Sequence, residues 1–220
     1  MAPETDITRP SGPRKRERHA PDARRRALID ATLQCLRECG VEQTSVRRIC
    51  ERASVSVGLV NHYYASKDAL IADAYAEVAD NLLGALVAEV ERHGGCARAR
   101  LSAFFRASFS PVVLDPDLLR VWLSFWGMAY RSEAIADVHD RTYRDQLAVL
   151  EGMLDDLVRE EEETDLDARL GAIGLAGLLD GLWVEWCLNA RTFTPEEGVR
   201  LCEACLDGML RRLPRNGATP

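Results

Sequence analysis

"TSVRRICERASVSVGLVNHYYASK", Thr44 to Lys67, places two short apolar-periodic runs on either side of a turn of small polar residues and ends on paired tyrosines and a lysine. Val46, Ile49, Cys50 and Ala53 fall at helical spacing and give the first run one apolar face, with Thr44 or Ser45 as its N-cap. Beyond "SVSVG", Ser56 caps a second helix that packs down through Leu59, Val60 and Tyr63, and Ser66 caps a longer third one opening at Lys67. Two short helices about a tight corner allow the second to enter the major groove of DNA while the first braces it against the backbone.

The residue chemistry fits that use. The hydroxyls of Thr44 and Ser45 and the free amides at a helix start suit a phosphate, as does the ammonium of Lys67. Val57, Leu59, Asn61 and His62 stand where base edges would be met: Asn61 can pair with adenine, and Val57 or Leu59 can touch a thymine methyl. A helical corner that merely packs is common in all-α proteins, so spacing alone leaves both readings open. Charge weighs against the packing one. Residues 1–68 carry 13 Lys+Arg against 9 Asp+Glu, a balance of +4 in a chain whose total is -7, so the remainder stands at -11. A basic segment on an acidic body marks a local site for a polyanion, and a DNA operator is the implied partner.

Outward from the corner, residues 1–20 read as a basic arm broken by Pro3, Pro10, Gly12 and Pro13, with no apolar core of a secretory signal. A helix then starts near Pro21-Asp22 and closes at Gly40, completing a DNA-binding domain over 21–66. Residues 67–213 form a larger effector-binding and dimerisation domain, with 214–220 as a tail. Its periodicity predicts helices at about 68–92, 97–109, 116–132, 135–162, 166–190 and 195–212 and no strand. The fold class is all-α. The longest apolar run, Leu175 to Leu188, is interrupted by Asp180 and Glu185 and reads as too short for a membrane span. No membrane partner, metal or cofactor is expected: the seven cysteines make neither a disulfide framework nor a zinc set, and the cytoplasm is the implied compartment.

From Arg24 to Ile71, "RRRALIDATLQCLRECGVEQTSVRRICERASVSVGLVNHYYASKDALI" resembles the DNA-binding domain of TetR-family repressors. The resemblance implies a phosphate-contacting cap at Thr44 and Ser45, recognition-helix contacts at Ser56, Gly58, Asn61 and His62, and backbone anchors at Tyr63 and Lys67. Two positions depart from the family pattern: Ser54 stands where the turn usually has glycine, and Asn61 where the recognition helix usually has tyrosine. "GLVNHYY", "LLRVWLSFWGMAYRSE" and "GLLDGLWVEWCL" resemble the BetI-type branch, whose best-known members respond to choline. The implied function is a ligand-released, homodimeric repressor of a palindromic operator, and not an enzyme.

All four tryptophans lie in two segments. Trp122 and Trp126 are four apart, with Tyr130 continuing their stripe, and Trp183 and Trp186 are three apart. These rings either fill a bundle core or dimer seam, the commoner use, or face one another as a box for a quaternary ammonium, assisted by Asp180 or Glu185. Gly171, Gly174, Gly177 and Gly181 lie along one broad side of the same helix as Trp183. Each costs roughly 1 kcal/mol against alanine, which close helix approach explains. The family resemblance assigns that approach to a four-helix dimer interface, and internal packing is the alternative. Two rival readings remain: a thiol sensor using Cys35 and Cys39 or Cys202 and Cys205, and a helical-pocket enzyme using His139 or His93 as base.

Overall fold

The computed structural model describes residues 15–161 and 164–210, with side chains from residue 22 onward. The chain order is α1 (Lys15–Gln43), α2 (Val46–Ala53), α3 (Val57–Tyr63), α4 (Lys67–His93), α5 (Ala97–Ser108), α6 (Pro116–Ala129), α7 (Glu133–Glu160), α8 (Ala168–Leu188) and α9 (Pro195–Leu210). Among the described residues there is no strand. The predicted helices of the larger domain recur within a few residues of their expected ends. At the amino terminus the helix opens at Lys15, so the final six residues of the predicted arm belong to α1. Residues 1–14 of that arm and the tail at 214–220 lie outside the described residues.

Caps set the corner's boundaries. Gly40 interrupts α1 at φ 67°, ψ -178°, a conformation essentially reserved for glycine, and turns the chain toward α2. The hydroxyls of Ser45, Ser56 and Ser66 accept hydrogen bonds from the backbone amides of Arg48, Leu59 and Ala69, each capping its helix. Ser54 closes α2 at φ 55°, ψ 42°, the left-handed conformation that the family usually gives to glycine.

Three apolar cores run in series. The first holds the corner and collects Leu28, Cys35, Ile49, Cys50, Val60 and Leu70 from α1 to α4. The middle one joins Leu36 of α1, Ile71 and Tyr75 of α4, Val121 and Phe125 of α6 and Ile135 of α7. The third, largest core lies among α4, α5, α7, α8 and α9. Because α4 contributes to all three, it links the corner to the interior of the larger domain.

The apolar run on α8 is longer than the sequence suggests. The helix has 21 residues with a mean hydropathy of 1.3 over its most apolar window, enough by length and composition to cross a membrane. Instead it lies on α7, burying Ala172, Leu175, Ala176, Leu179 and Trp183. Its opposite side, with Leu170, Ile173, Gly174, Gly177, Gly181 and Leu188, is exposed.

Candidate DNA-reading corner and effector cavity

On α3, Val60 is buried and holds the helix to α1, while Ser56, Val57, Gly58, Asn61 and His62 are exposed. These positions share one outward face, and Gly58 adds no side chain to it: a Cβ there would meet only Ser56 Oγ, at 3.9 Å. Leu59 and Tyr63 are half-buried, so they brace the helix more than they extend from it.

Thr44 departs from its expected role. It is 2% exposed, and its hydroxyl donates to the Gly40 carbonyl at 2.7 Å. The Gly40 turn leaves that carbonyl without a helical partner, and Thr44 satisfies it, so the side chain is turned inward and offers nothing to a phosphate. Ser45 remains exposed beside the free amides of α2. The Lys67 ammonium donates to the Thr44 carbonyl at 3.2 Å, placing a cation at the same end of α2.

Two further cations stand at this edge that the capping pattern does not single out, Arg47 and Arg48. Both are exposed; Arg47 pairs with Glu51, and Arg48 donates to the Gln43 carbonyl at 3.2 Å. The signal was the adjacent arginines of "VRRIC" on the polar phase of a helix with an otherwise apolar face. Tyr64 is not singled out either: its hydroxyl donates to Asp73 at 2.6 Å, and Asp73 receives Arg25, tying α1, α4 and the end of α3 together.

The second constellation lies on the far side of the middle core. Tyr75, Ala79, Leu82, Leu83 and Leu86 of α4, Trp122 and Trp126 of α6, His139, Thr142, Tyr143 and Gln146 of α7, and Asp180 and Trp183 of α8 line a narrow pocket of about 40 Å³. Trp122 meets Trp183 edge-on with centroids 6.4 Å apart and Tyr75 edge-on at 5.6 Å. The Tyr75 hydroxyl and His139 Nδ1 lie 3.0 Å apart, which fixes both rings in the wall.

Asp180 is the carboxylate in this pocket. Burial pushes its pKa up to about 6, with no hydrogen bond or cation among the described residues to offset that. It also lines a more open depression outside, shared with Trp126, Ala129, Tyr130, Ala136, His139, Asp140 and Tyr143.

Thus Trp122, Trp126, Trp183 and Asp180 come together, and Tyr130, 97% exposed, stands in the outer depression. Trp186 and Glu185 do not join them. The Trp186 indole donates to the Leu114 carbonyl at 3.3 Å and its ring packs on Phe193, while the Glu185 carboxylate accepts from Thr192 at 3.1 Å. Three and two residues on from Trp183, these side chains project toward the α8–α9 turn. Trp183 itself is anchored by a bond from its indole to the Ser108 carbonyl.

The four glycines of α8 also divide. A Cβ at Gly171 would come within 3.1 Å of Leu154 and one at Gly174 within 2.8 Å of the Met209 terminus, so these two admit neighbours of the same subunit. At Gly177 and Gly181 a Cβ would meet nothing within 4 Å. As for the thiols, Cys35, Cys50 and Cys202 are buried, and burial raises the pKa of each, that of Cys202 to about 12. Low thiolate content makes them unreactive.

Comparison with known proteins agrees with this layout. Residues 28–74 match the family described as bacterial regulatory proteins of the tetR family, and residues 97–211 match the BetI-type transcriptional repressor carboxy-terminal domain. The chain belongs to the TetR family. This TetR-family regulator is 30% identical over 192 residues to the transcriptional regulator BetI of Burkholderia mallei, covering 86% of this chain and 94% of the relative. A transcriptional regulator from Pseudomonas aeruginosa PAO1 of known structure is 50% identical, with a TM-score of 0.81 over 89% of this chain and 94% of that one. A regulator from Saccharomonospora viridis, solved in complex with choline, shares the fold at a TM-score of 0.73 and 18% identity, over 87% of this chain and all of that one. As a transcriptional regulator of TetR/BetI type, the protein belongs to a group of proteins that are not enzymes.

Proposed function

We propose that this regulator is a cytoplasmic homodimeric repressor released from a palindromic operator by an organic cation. The observation that carries the reading is Asp180, a carboxylate without a cation among Trp122, Trp126, Trp183, Tyr75 and Tyr143. Ring faces attract an ammonium through their quadrupole, by about 0.5–2 kcal/mol each when desolvated. A cation also offsets the cost of keeping Asp180 charged. The choline complex of the Saccharomonospora viridis regulator is consistent with that ligand class.

DNA contact falls to the exposed face of α3, with Asn61 and His62 meeting base edges and Gly58 allowing close approach. Ser45, Arg47, Arg48 and Lys67 supply phosphate contacts. Dimerisation uses the exposed side of α8, where Gly177 and Gly181 leave room for a second backbone, together with Leu201, Ala204 and Gly208 on α9. Release is a population shift: a ligand touching Tyr75 and Ala79 favours one position of α4, and the amino terminus of α4 carries the corner through Leu70 and Lys67.

The test is calorimetry of choline and tetramethylammonium with the wild type and Trp126→Leu, beside operator binding. Binding that weakens several-fold in the variant, together with operator release by the same ligand, supports the reading. Equal affinity in the two proteins, or no heat from any ammonium, hands these tryptophans back to packing.

A further inference from the structure

The helix that faces outward at the corner is short and thinly packed. Of its seven residues, Val57–Tyr63, only Val60 is buried, so one side chain pins α3 to the first core and its tilt about that point is set by its two ends. At the amino end the Ser56 cap and the Val55 amide, which donates to the Cys50 carbonyl at 3.0 Å, tie it to α2. At the carboxyl end the Tyr64 amide closes the last helical bond on Val60, and the backbone runs on extended at φ -134°, ψ 129°. Tyr63 packs half-buried on the first core, a non-directional contact that resists lifting and tolerates rotation. The directional hold there is polar. The Tyr64 hydroxyl donates to Asp73 Oδ2 at 2.6 Å, Arg25 Nε donates to the same oxygen at 2.8 Å, and a second Arg25 nitrogen takes Oδ1. A two-pronged guanidinium fixes the plane of the carboxylate, and that plane fixes where the phenol points. Burial and the bond to Asp73 push the Tyr64 pKa up, which keeps the donor proton in place.

Resting on the reading of α3 as the base-contacting helix, we propose that Tyr64 is a positioning residue for sequence discrimination: its hydroxyl, turned inward onto Asp73, holds α3 at the tilt at which Asn61 and His62 meet base edges together. Base contacts need several donors and acceptors in place at once, so a helix free to rock loses discrimination. Phosphate contacts do not depend on that tilt, because Ser45, Arg47, Arg48 and Lys67 belong to α2, its cap and α4. The two kinds of affinity therefore separate. Removing the hydroxyl leaves Asp73 paired with Arg25, so no charge is orphaned and the fold is kept.

The experiment measures binding of the full-length protein to a site that the wild type selects from random DNA and to a scrambled duplex of the same length. In Tyr64→Phe, checked for folding by thermal denaturation, affinity for the selected site should fall about tenfold, the effect of losing one charge-assisted bond, while scrambled DNA binds within about twofold of wild type. The salt slope should stay as it was. In an Asp73→Ala background the same substitution should cost nothing further, because the bond has already gone. Equal losses on selected and scrambled DNA overturn the proposal, as does no loss on either, or an additive loss in the double variant. Asn61→Ala/His62→Ala separates the proposal from the reading beneath it. If that protein loses discrimination while Tyr64→Phe keeps it, α3 still reads bases and only the positioning role falls. If it discriminates like the wild type, the reading of α3 and the proposal fall together.

Discussion

Asp180 and Ser54 are both held at a cost to the folded state, for different reasons. The raised pKa of Asp180, about 6, means that the folded state keeps a proton which the unfolded chain, with an ordinary aspartate near 3.9, has already released between those values. Stability from this residue therefore falls as pH rises from about 4 to about 6 and stays lower above that. Asp180→Asn should stabilise the ligand-free protein at pH 7 by up to about 3 kcal/mol, with the gain vanishing near pH 4, as denaturant titrations at both pH values would read. The same variant should lose cation binding. In the wild type, affinity for tetramethylammonium should drop as pH falls through 6. His139 on α7 lines the same pocket and faces Tyr75 of α4, so retention of the drop in His139→Gln is what assigns it to Asp180. At Ser54 the cost is conformational. Replacement by glycine at φ 55°, ψ 42° should stabilise by about 1 kcal/mol and raise the melting midpoint by about 2–4 °C. An unchanged midpoint would mean that the Ser54 side chain repays its strain.

At the scale of elements, α4 is the piece whose two ends meet different partners. Lys67 at its start donates to the carbonyl that precedes α2, so its ammonium has two remaining protons for a phosphate. Lys67→Ala should weaken binding to specific and random DNA alike and reduce the salt dependence, log K against log salt, by about 1. Weaker binding with an unchanged slope would assign Lys67 to clamping α2 on α4 alone. The corner was legible in the sequence because its signals are local: three serine caps, Gly40, and an apolar face recurring every three or four residues. Thr44 was misread because an inward and an outward hydroxyl look alike until the Gly40 carbonyl is placed. The α7 wall was hidden in plain periodicity. Ile135, His139, Thr142, Gln146, Leu150, Met153 and Leu157 follow one helical stripe whose ends are apolar and whose middle is polar, and that middle meets the cavity. Trp186 and Glu185 could not be sorted from Trp183 without the position of the α8–α9 turn, since all lie within one turn of helix.

For the whole molecule, the question is what covers the outer side of α8. Leu170, Gly174, Gly177, Gly181 and Leu188 recur at intervals of three, four and seven residues, and Leu201, Ala204 and Gly208 of α9 repeat the pattern beside them. A helix this apolar, 33% buried over its most apolar window, leaves one face for another surface. On the proposed homodimeric reading, the two-fold symmetry that would place two α3 helices about 34 Å apart on one side of DNA makes a second copy the fitting occupant. Gly177→Glu tests this cleanly, because a Cβ at that position meets nothing within 4 Å in the subunit. Within the monomer the change should be neutral or stabilising by up to about 1 kcal/mol, since glycine is the weaker helix former. Across a close helix pair it would bring two carboxylates into one seam. Sedimentation should then give half the wild-type mass with the helical content kept, and the salt dependence of operator binding should fall to about half as one corner's phosphate contacts are lost. Gly152→Glu on α7, where a Cβ is equally unobstructed, is the control and should leave the mass unchanged. A Gly177→Glu protein that keeps the wild-type mass would move the seam off this face of α8.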